Sequence, residues 1–532
     1  MPLSPRTLRP ASSGFNPRQI SGLALWLDAS DSSTLFQNSD GTVPATATSD
    51  PVGYWGDKSG NARHAVQATA GSRPAISGTT QGGRKALAFD AQTKTVISPV
   101  SVAQYVADAT TSPKMFFAWV ARPEGSVSSI CWGSPTQPNN ASRVFYASDF
   151  GAAGSHIVDF GSVSTARLTG TVGDETNNVG HVYSAFRDGA IMSVRRDGVE
   201  IIRKTNASGS YTDTTGTLSI NTAGGGGATA SWMEFLAYAA SMPAANITRI
   251  ERYLAAKWGI TLAPQVSNAD AQDWVNRVYA NGGTVSASTA AAVNQFCVDI
   301  EAAGIRSLMY RANLFAGTGL NACLVPLYRG PSLGGTQFGN TVDTNVGPFV
   351  SGDYAETTGL AAGSGKYLRT GLTQANVGVA SHLAFYDCVK ATNAYANRIG
   401  SRGAGDTHEH AITNLDVATS MDYASSATAG TGRARTTGYT QAGAFWLGVN
   451  PSATSAILYR NGVSAATSTP SARTAQNLEY WAFALNNNGT LDSSQTTGRS
   501  GGYSIGTAMD ATQVAAYHTA MQAFQTALTR NV

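Results

Sequence analysis

The same order of elements is written twice along this 532-residue chain, and a duplicated order restricts it to two copies of one architecture. In the first half VYSAFRDGAIMSVRRDGVEI, beginning at Val182, leads into further strands and a helix. In the second half AFWLGVNPSATSAILYRNGVSA, beginning at Ala444, does the same, with Asn461-Gly462 standing where Asp197-Gly198 stands. Both dipeptides supply the two positive-φ residues of a type I′ turn between twisted strands, so each marks a β-hairpin. The length also exceeds what one hydrophobic core supports. The expected division is an N-terminal arm over 1–20, a first domain over 21–262 and a second over 263–532.

Short apolar runs bounded by Gly, Asp or Asn fill the first domain: LALWLDAS from Leu23, KALAFD around Leu87, KMFFAWVARP around Phe116, RVFYAS around Phe145 and HIVDF around Ile157. Behind Pro243, Ile247, Ile250, Leu254 and Trp258 recur at helical spacing and predict a closing helix. A helical hairpin over 268–303 is predicted to open the second domain. Its first helix starts after Ser267, with Asp270 placed as in a capping box, and stops at Asn281-Gly282-Gly283. Its second buries Val293, Phe296, Cys297 and Ile300 and stops at Gly304. A final stripe of Val514, Tyr517, Met521, Phe524 and Leu528 predicts the closing helix of the second copy. With 13% charged residues and 57 glycines the composition suits many short strands joined by tight turns. The predicted class is mainly β, as two tandem sandwiches, each with a closing helix.

A formal charge of +3 without a basic cluster argues against nucleic acid as a partner. Arg6, Arg9 and Arg18 make the N-terminal arm mildly basic, which suits contact with another protein. Cys131, Cys297, Cys323 and Cys388 fall one and three to the two halves, so buried thiols rather than a disulfide framework are expected. The opening MPLSPRTLRPASSGF lacks the apolar stretch of a signal peptide, and no run of about 18 apolar residues occurs. Synthesis in a cytoplasm, with no membrane insertion, is the expectation.

The segments LALWLDASDSSTL, YWGDKSGNARHAVQ, RPAI followed by ALAFD, RRDGVEI and RIERYLAAKWGI occur in this order over residues 20 to 262. In them the chain resembles the concanavalin A-like lectin/glucanase superfamily, in its laminin-G-like branch. The second half is similar more loosely, through LYRNGV and its last strand and helix. Its opening, DAQDWVNRVYANGGTVSASTAAAVNQFCVDIEAAGIRS followed by LNACLVPLYRG, resembles a segment common in bacteriophage structural proteins. The resemblance implies jelly-roll sandwiches that recognise glycans or proteins, in some members with calcium. It implies a virion component, as a fibre, spike or capsid decoration, whose partners are other virion proteins and a host-surface glycan. A virion binder gains avidity by repetition, so a homo-oligomer, with a trimer favoured, is expected. A purely architectural virion protein is the alternative, and a polysaccharide-degrading enzyme stands behind both.

Glucanases of that superfamily carry paired carboxylates as E-x-D-x-x-E. Glu175, Glu200, Glu234 and Glu251 each lack a second acid at that interval, so a non-enzymatic chain is expected. GLAAGSGKY, from Gly359, misses the spacing of a phosphate loop, and Gly224 to Gly227 read as a hairpin loop. In an extended strand His408 and His410 of His408-Glu409-His410 share a face, which offers two metal-ligating nitrogens per chain, or six at a trimer axis. The same residues also suit a solvent-facing strand end. Asp57 and Asn61, within Asp57-Lys58-Ser59-Gly60-Asn61, offer oxygen ligands for calcium together with Asp28 or Asp31, or else an Asx-type turn that orders the loop. Trp55, Trp132, Trp232 and Trp446 are candidates to stack on sugar rings or to fill the core.

Overall fold

The computed structural model describes residues 15–91, 93–124, 130–134, 142–148, 154–171, 178–221, 229–414, 420–429 and 431–530. Arg6 and Arg9 of the arm, Glu175 and the Gly224 to Gly227 run lie outside the described residues. The chain divides into two compact units, Met1–Ala263 and Pro264–Val532.

In the first unit two sheets face each other. The strands that matter below are β1 (Leu23–Asp28), β2 (Lys114–Pro123), β3 (Cys131–Gly133), β4 (Arg143–Ser148), β5 (Ser155–Gly161), β6 (Arg167–Thr171), β7 (His181–Asp188), β8 (Ile191–Arg196), β9 (Val199–Lys204) and β10 (Ala230–Tyr238). One sheet runs β9-β8-β7-β2-β10 and continues through Arg84–Phe89 and Ala75–Gln81, with β1 also on β10. The other runs β6-β5-β4-β3 and continues through Thr217–Ile220 and Val96–Ser101. Strand β2 shows why the apolar run around Phe116 is continuous rather than alternating. Met115, Phe117 and Trp119 enter the core between the sheets, while Phe116, Ala118 and Val120 lie under helix α1 (Ala244–Trp258). A strand covered on both faces has no position left for a polar side chain. Ile247, Ile250, Leu254 and Trp258 of α1 are the stripe that covers it, and Gly259 ends the helix at φ 65°.

The second unit opens with α2 (Ala269–Ala280) and α3 (Ala287–Ala302), and Asn268, not Ser267, caps α2 by accepting from the amides of Asp270 and Ala271. Asparagine takes the position because its amide oxygen reaches both amides while its backbone stays extended. The sandwich follows: β11 (Met309–Asn313), β12 (Ser381–Val389), β13 (Ala396–Gly403), β14 (Thr407–Asn414), β15 (Met421–Thr428), β16 (Ala434–Thr436), β17 (Ala444–Ser452), β18 (Ser455–Arg460), β19 (Val463–Ser468) and β20 (Arg499–Thr507), then α4 (Ala511–Ala527). One sheet runs β19-β18-β17-β12-β20 with β11 also on β20, and the other β16-β15-β14-β13. Strand for strand this is the order of the first unit. The fold is mainly β, as two tandem β-sandwiches.

The two hairpin turns coincide in detail. Asp197 and Gly198 have φ 49° and 85°, and Asn461 and Gly462 have 50° and 76°. The Asp197 carboxylate accepts from the Val182 amide at 2.9 Å, and the Asn461 side chain accepts from the Phe445 amide at 2.9 Å, in the neighbouring strand of each sheet. The helical hairpin docks inside its own unit, with the Phe296 ring 5.8 Å from Phe524 and 6.3 Å from Tyr517 of α4. Its apolar seam is therefore used within the chain, which removes that seam as a support for a trimer. All four cysteines are buried, and burial raises the Cys297 thiol to about 12 and Cys388 to about 11. No helix among the described residues is long and apolar enough to cross a membrane.

Candidate functional site

Alternation along β4, β5 and β6 sends Val144, Tyr146, Val158, Phe160 and Leu168 into the core, and the residues between them to the opposite face. On that face Cys131, Phe145, Ala147 and Ile157 form a small buried apolar cluster. The Arg143 guanidinium lies over the Phe145 ring at 4.7 Å. Asp159, fully buried, stands directly opposite Arg167 and receives two of its nitrogens at 2.7 and 2.8 Å, with Arg143 at 3.6 Å. Planar two-point pairing of this kind fixes the guanidinium as well as neutralising the carboxylate. Arg167 thereby becomes a rigid wall of a broad, open cleft of about 440 Å³, lined also by Leu168, Thr169, Arg203, Lys204, Thr205 and Asn206. The cleft opens between β6 and the end of β9, strands brought together only by the sandwich. The Lys204 ammonium is held by the Arg167 carbonyl at 3.1 Å, and Arg203 by Glu200 at 2.9 Å.

The second sandwich repeats the pair. Asp422 on β15 is fully buried, stands directly opposite Arg435 on β16, and accepts its Nε at 2.6 Å. Beside it Glu409 accepts Arg433 at 2.7 Å. Sequence reasoning missed these pairs. The available signal was an acid and an arginine at core-opposite positions of consecutive strands, but finding it requires the register of β5 with β6.

The calcium candidates are brought together, and they are filled by this chain. The Asp57 carboxylate accepts from the amides of Trp26, Ser59 and Arg63 at 3.0, 2.8 and 2.9 Å, and Asn61 donates to the Leu23 carbonyl at 3.0 Å. Between Asp28 and Asp31 sits the Lys58 ammonium, at 2.8 and 2.7 Å. On the other side of Asp28 the Lys257 ammonium lies 2.7 Å from it and 2.7 Å from Glu234, the residue opposite Asp28 across β1 and β10. Burial would raise Asp28, but Lys257 and Lys58 more than offset it and hold the carboxyl below its usual range. Glu234, fully buried, is raised by burial, which Lys257 only partly offsets. Trp26, Tyr253 and Trp258 donate to Glu234 at 2.7 to 2.8 Å, so its oxygens are committed. The residues order a loop and fasten α1 to the sheet, with ammonium groups in the position expected of a cation.

The histidines form neither of the two arrangements open to them, a pair of metal ligands or a solvent-facing strand end, since His410 is fully buried. Strand β14 carries an irregularity against β13 here, and His408 sits at φ 50° rather than in extended backbone. Its Nδ1 accepts from the Thr474 amide at 3.1 Å. His410 is fully buried, with Nδ1 2.5 Å from the Tyr480 hydroxyl and Nε2 2.8 Å from that of Tyr423. Tyr423 donates onward to the Asn450 side-chain oxygen, so Nε2 of His410 carries the proton and Nδ1 accepts from Tyr480. Burial, with the Arg473 guanidinium nearby, pushes His410 well below the ordinary histidine range. Groups of three or more metal-ligating side chains are absent among the described residues. Trp55, Trp132, Trp232 and Trp446 are each 0% exposed, so their ring faces meet core side chains and not solvent. GLAAGSGKY joins two strands, and Lys366 within it pairs with Asp353 at 2.6 Å.

No family model and no curated protein matches this chain. Solved structures do. Domain 4 of an extracellular arabinanase from Geobacillus stearothermophilus, in complex with arabinotriose, matches at 13% identity and TM-score 0.31, over 43% of this chain and 98% of that one. The sialidase of Trypanosoma rangeli matches at 13% identity and 0.31, over 46% of this chain and 34% of its own. An α-L-arabinofuranosidase matches at 11% and 0.31, over 46% and 65%. This chain thus spans about a third of the sialidase and under two thirds of the arabinofuranosidase. Scores at this level assign no activity and no site. They do correct one expectation. The non-enzymatic reading rested on a missing E-x-D-x-x-E motif, and three proteins named as glycoside-processing enzymes are among the matches, so that exclusion is withdrawn.

Proposed function

We propose that this chain recognises glycans at the surface of a bacteriophage particle, through tandem sandwiches of the concanavalin A-like kind. The observation that carries glycan recognition is the cleft of about 440 Å³ on the first sandwich. Its lining offers two guanidiniums, an ammonium, two threonine hydroxyls and an asparagine amide. A surface rich in fixed donors, shallow and open, suits the many hydroxyls of a polymer rather than a small apolar ligand. Recognition by several weak contacts would draw strength from repetition. The virion setting is supported by the similarity of the segments 270–307 and 320–330 to bacteriophage structural proteins.

The test is a glycan array probed with the whole protein, alongside the double variant Arg203→Ala/Lys204→Ala. Binding by the wild type that falls at least tenfold in the variant is the expected result. An array with no bound glycan would remove the reading. Reducing ends released from any bound polysaccharide, measured in parallel, decide whether recognition is coupled to hydrolysis. Antibody labelling of intact particles tests the setting.

A further inference from the structure

Among the described residues Tyr395 is the one aromatic side chain in the set of exposed large hydrophobics, at 57% exposure. It is also held at φ 54°, in the left-handed region that disfavours every residue with a side chain. Phe315 and Phe483 share that backbone strain, and both have their rings fully buried in the core, where apolar burial offsets it. Tyr395 has no such return, because its ring stands in solvent. Strain of this kind persists where the surrounding structure over-determines it, and such residues cluster at binding and active sites.

The loop that holds it is over-determined. The Asn414 side chain, fully buried, donates to the Asn393 carbonyl at 2.9 Å and accepts from the Ala396 amide at 2.8 Å. Asn393 accepts from the Thr496 amide at 3.2 Å and the Thr497 hydroxyl at 3.4 Å, and the Thr392 amide donates to Thr497 at 2.8 Å. Asn397 bonds Ser493. The Arg398 guanidinium also donates to the Ala396 carbonyl at 2.8 Å, but it is buried and paired with Asp387. The groups exposed beside the ring's segment, Thr392, Thr496 and Thr497, are neutral hydroxyls.

We propose that Tyr395 is the stacking platform of a second glycan site, on the second sandwich, which takes the apolar C–H face of a neutral hexopyranose within a polysaccharide. A flat ring with a wet edge covers one face of a pyranose at little entropic cost, since the strained loop has already fixed it. The neutral amides and hydroxyls around it complement ring hydroxyls and supply no charge to a carboxylate or sulfate. The site rests on the glycan-recognition reading but uses none of the cleft residues.

Affinity electrophoresis of the whole protein through gels containing dextran, mannan or galactan tests it, with Tyr395→Ala, Tyr395→Gly, Tyr395→Trp and the cleft double variant run beside the wild type. The expected result is retardation of the wild type by at least one of these polymers. Tyr395→Ala and Tyr395→Gly should then bind at least tenfold more weakly, and Tyr395→Trp about as well. The thermal midpoint of Tyr395→Gly should be equal or higher, because glycine relaxes the backbone. Equal retardation of Tyr395→Ala and wild type, or a wild type that none of the three polymers slows, overturns the platform. So does a lowered midpoint in Tyr395→Gly, which would make the ring a structural element. If retardation is lost only in the cleft variant, the platform falls while glycan recognition stands.

Discussion

His382 on β12 shows what a single buried imidazole does to this protein. Its Nδ1 donates to the Thr507 carbonyl at 2.7 Å and its Nε2 accepts from the Ser504 hydroxyl at 3.1 Å, which fixes the neutral tautomer. Burial lowers it from 6.5 to about 4. Between those values the unfolded chain binds a proton that the folded chain refuses. Stability from this group is complete above 6.5 and is lost as pH falls toward 4, a loss on the order of 3 kcal/mol. Urea denaturation at pH 7, 5.5 and 4.5 should show that slope in the second sandwich, and His382→Asn should be less stable at pH 7 but flatter toward acid. His410 adds to the same limb. A different single-residue test is Gly448, where a Cβ would lie 2.1 Å from the Tyr423 ring. Gly448→Ala is expected to cost about 1–3 kcal/mol and to displace Tyr423 from His410, measurable by urea denaturation and by the His410 ring resonances.

At the scale of elements the hairpins and closing helices were legible because their causes are local. Asp-Gly and Asn-Gly admit positive φ wherever they occur, and the 3.6-residue recurrence of Ile247, Ile250, Leu254 and Trp258 needs no partner to be seen. What was illegible depended on strands or helices distant in sequence. Asp57 and Asn61 left a cation loop and an Asx-type turn both open, and the turn is what forms, with Asp57 accepting from the Ser59 amide; nothing in the local sequence places Lys257 against Asp28. The tryptophans stayed open between sugar stacking and core because alternation cannot tell which face another sheet will cover, and the Arg167 cleft needs β9 laid beside β6. Two predictions belong here. Lys257→Met leaves Asp28 and Glu234 facing each other without their ammonium, and should destabilise the first sandwich by about 3–5 kcal/mol in urea denaturation. Asn461→Ala puts a residue that disfavours left-handed backbone where asparagine tolerates it and removes the bond to the Phe445 amide, for about 1–2 kcal/mol.

For the whole molecule, the two cores have no member in common, since one runs from Ala24 to Ala237 and the other from Phe315 to Ile505. Each half should therefore melt cooperatively when expressed alone, residues 15–263 and 264–532, as followed by circular dichroism and calorimetry. A half that stays unfolded by both measures would show that it depends on the other. The duplicated plan read from two turns thus extends to every strand named in the sheets, while the chemistry of the two copies has separated.

That separation has a consequence for how the chain reaches its native state. Two segments with one topology invite strand exchange on refolding, with a hairpin of one copy added to the sheet of the other. The buried polar partners make such hybrids expensive. Glu234 finds its donors in Trp26, Tyr253, Trp258 and Lys257 of its own copy, whereas Arg311 of the other copy answers to Asp343 and Tyr503. Even the tyrosine–histidine pair is transposed: Tyr146 on β4 meets His156 on β5, while His410 on β14 meets Tyr423 on β15. A crossed sandwich would bury a carboxylate or guanidinium with no counterpart, so the divergent interiors act as a proofreading code that lets identical blueprints fold side by side in one polypeptide.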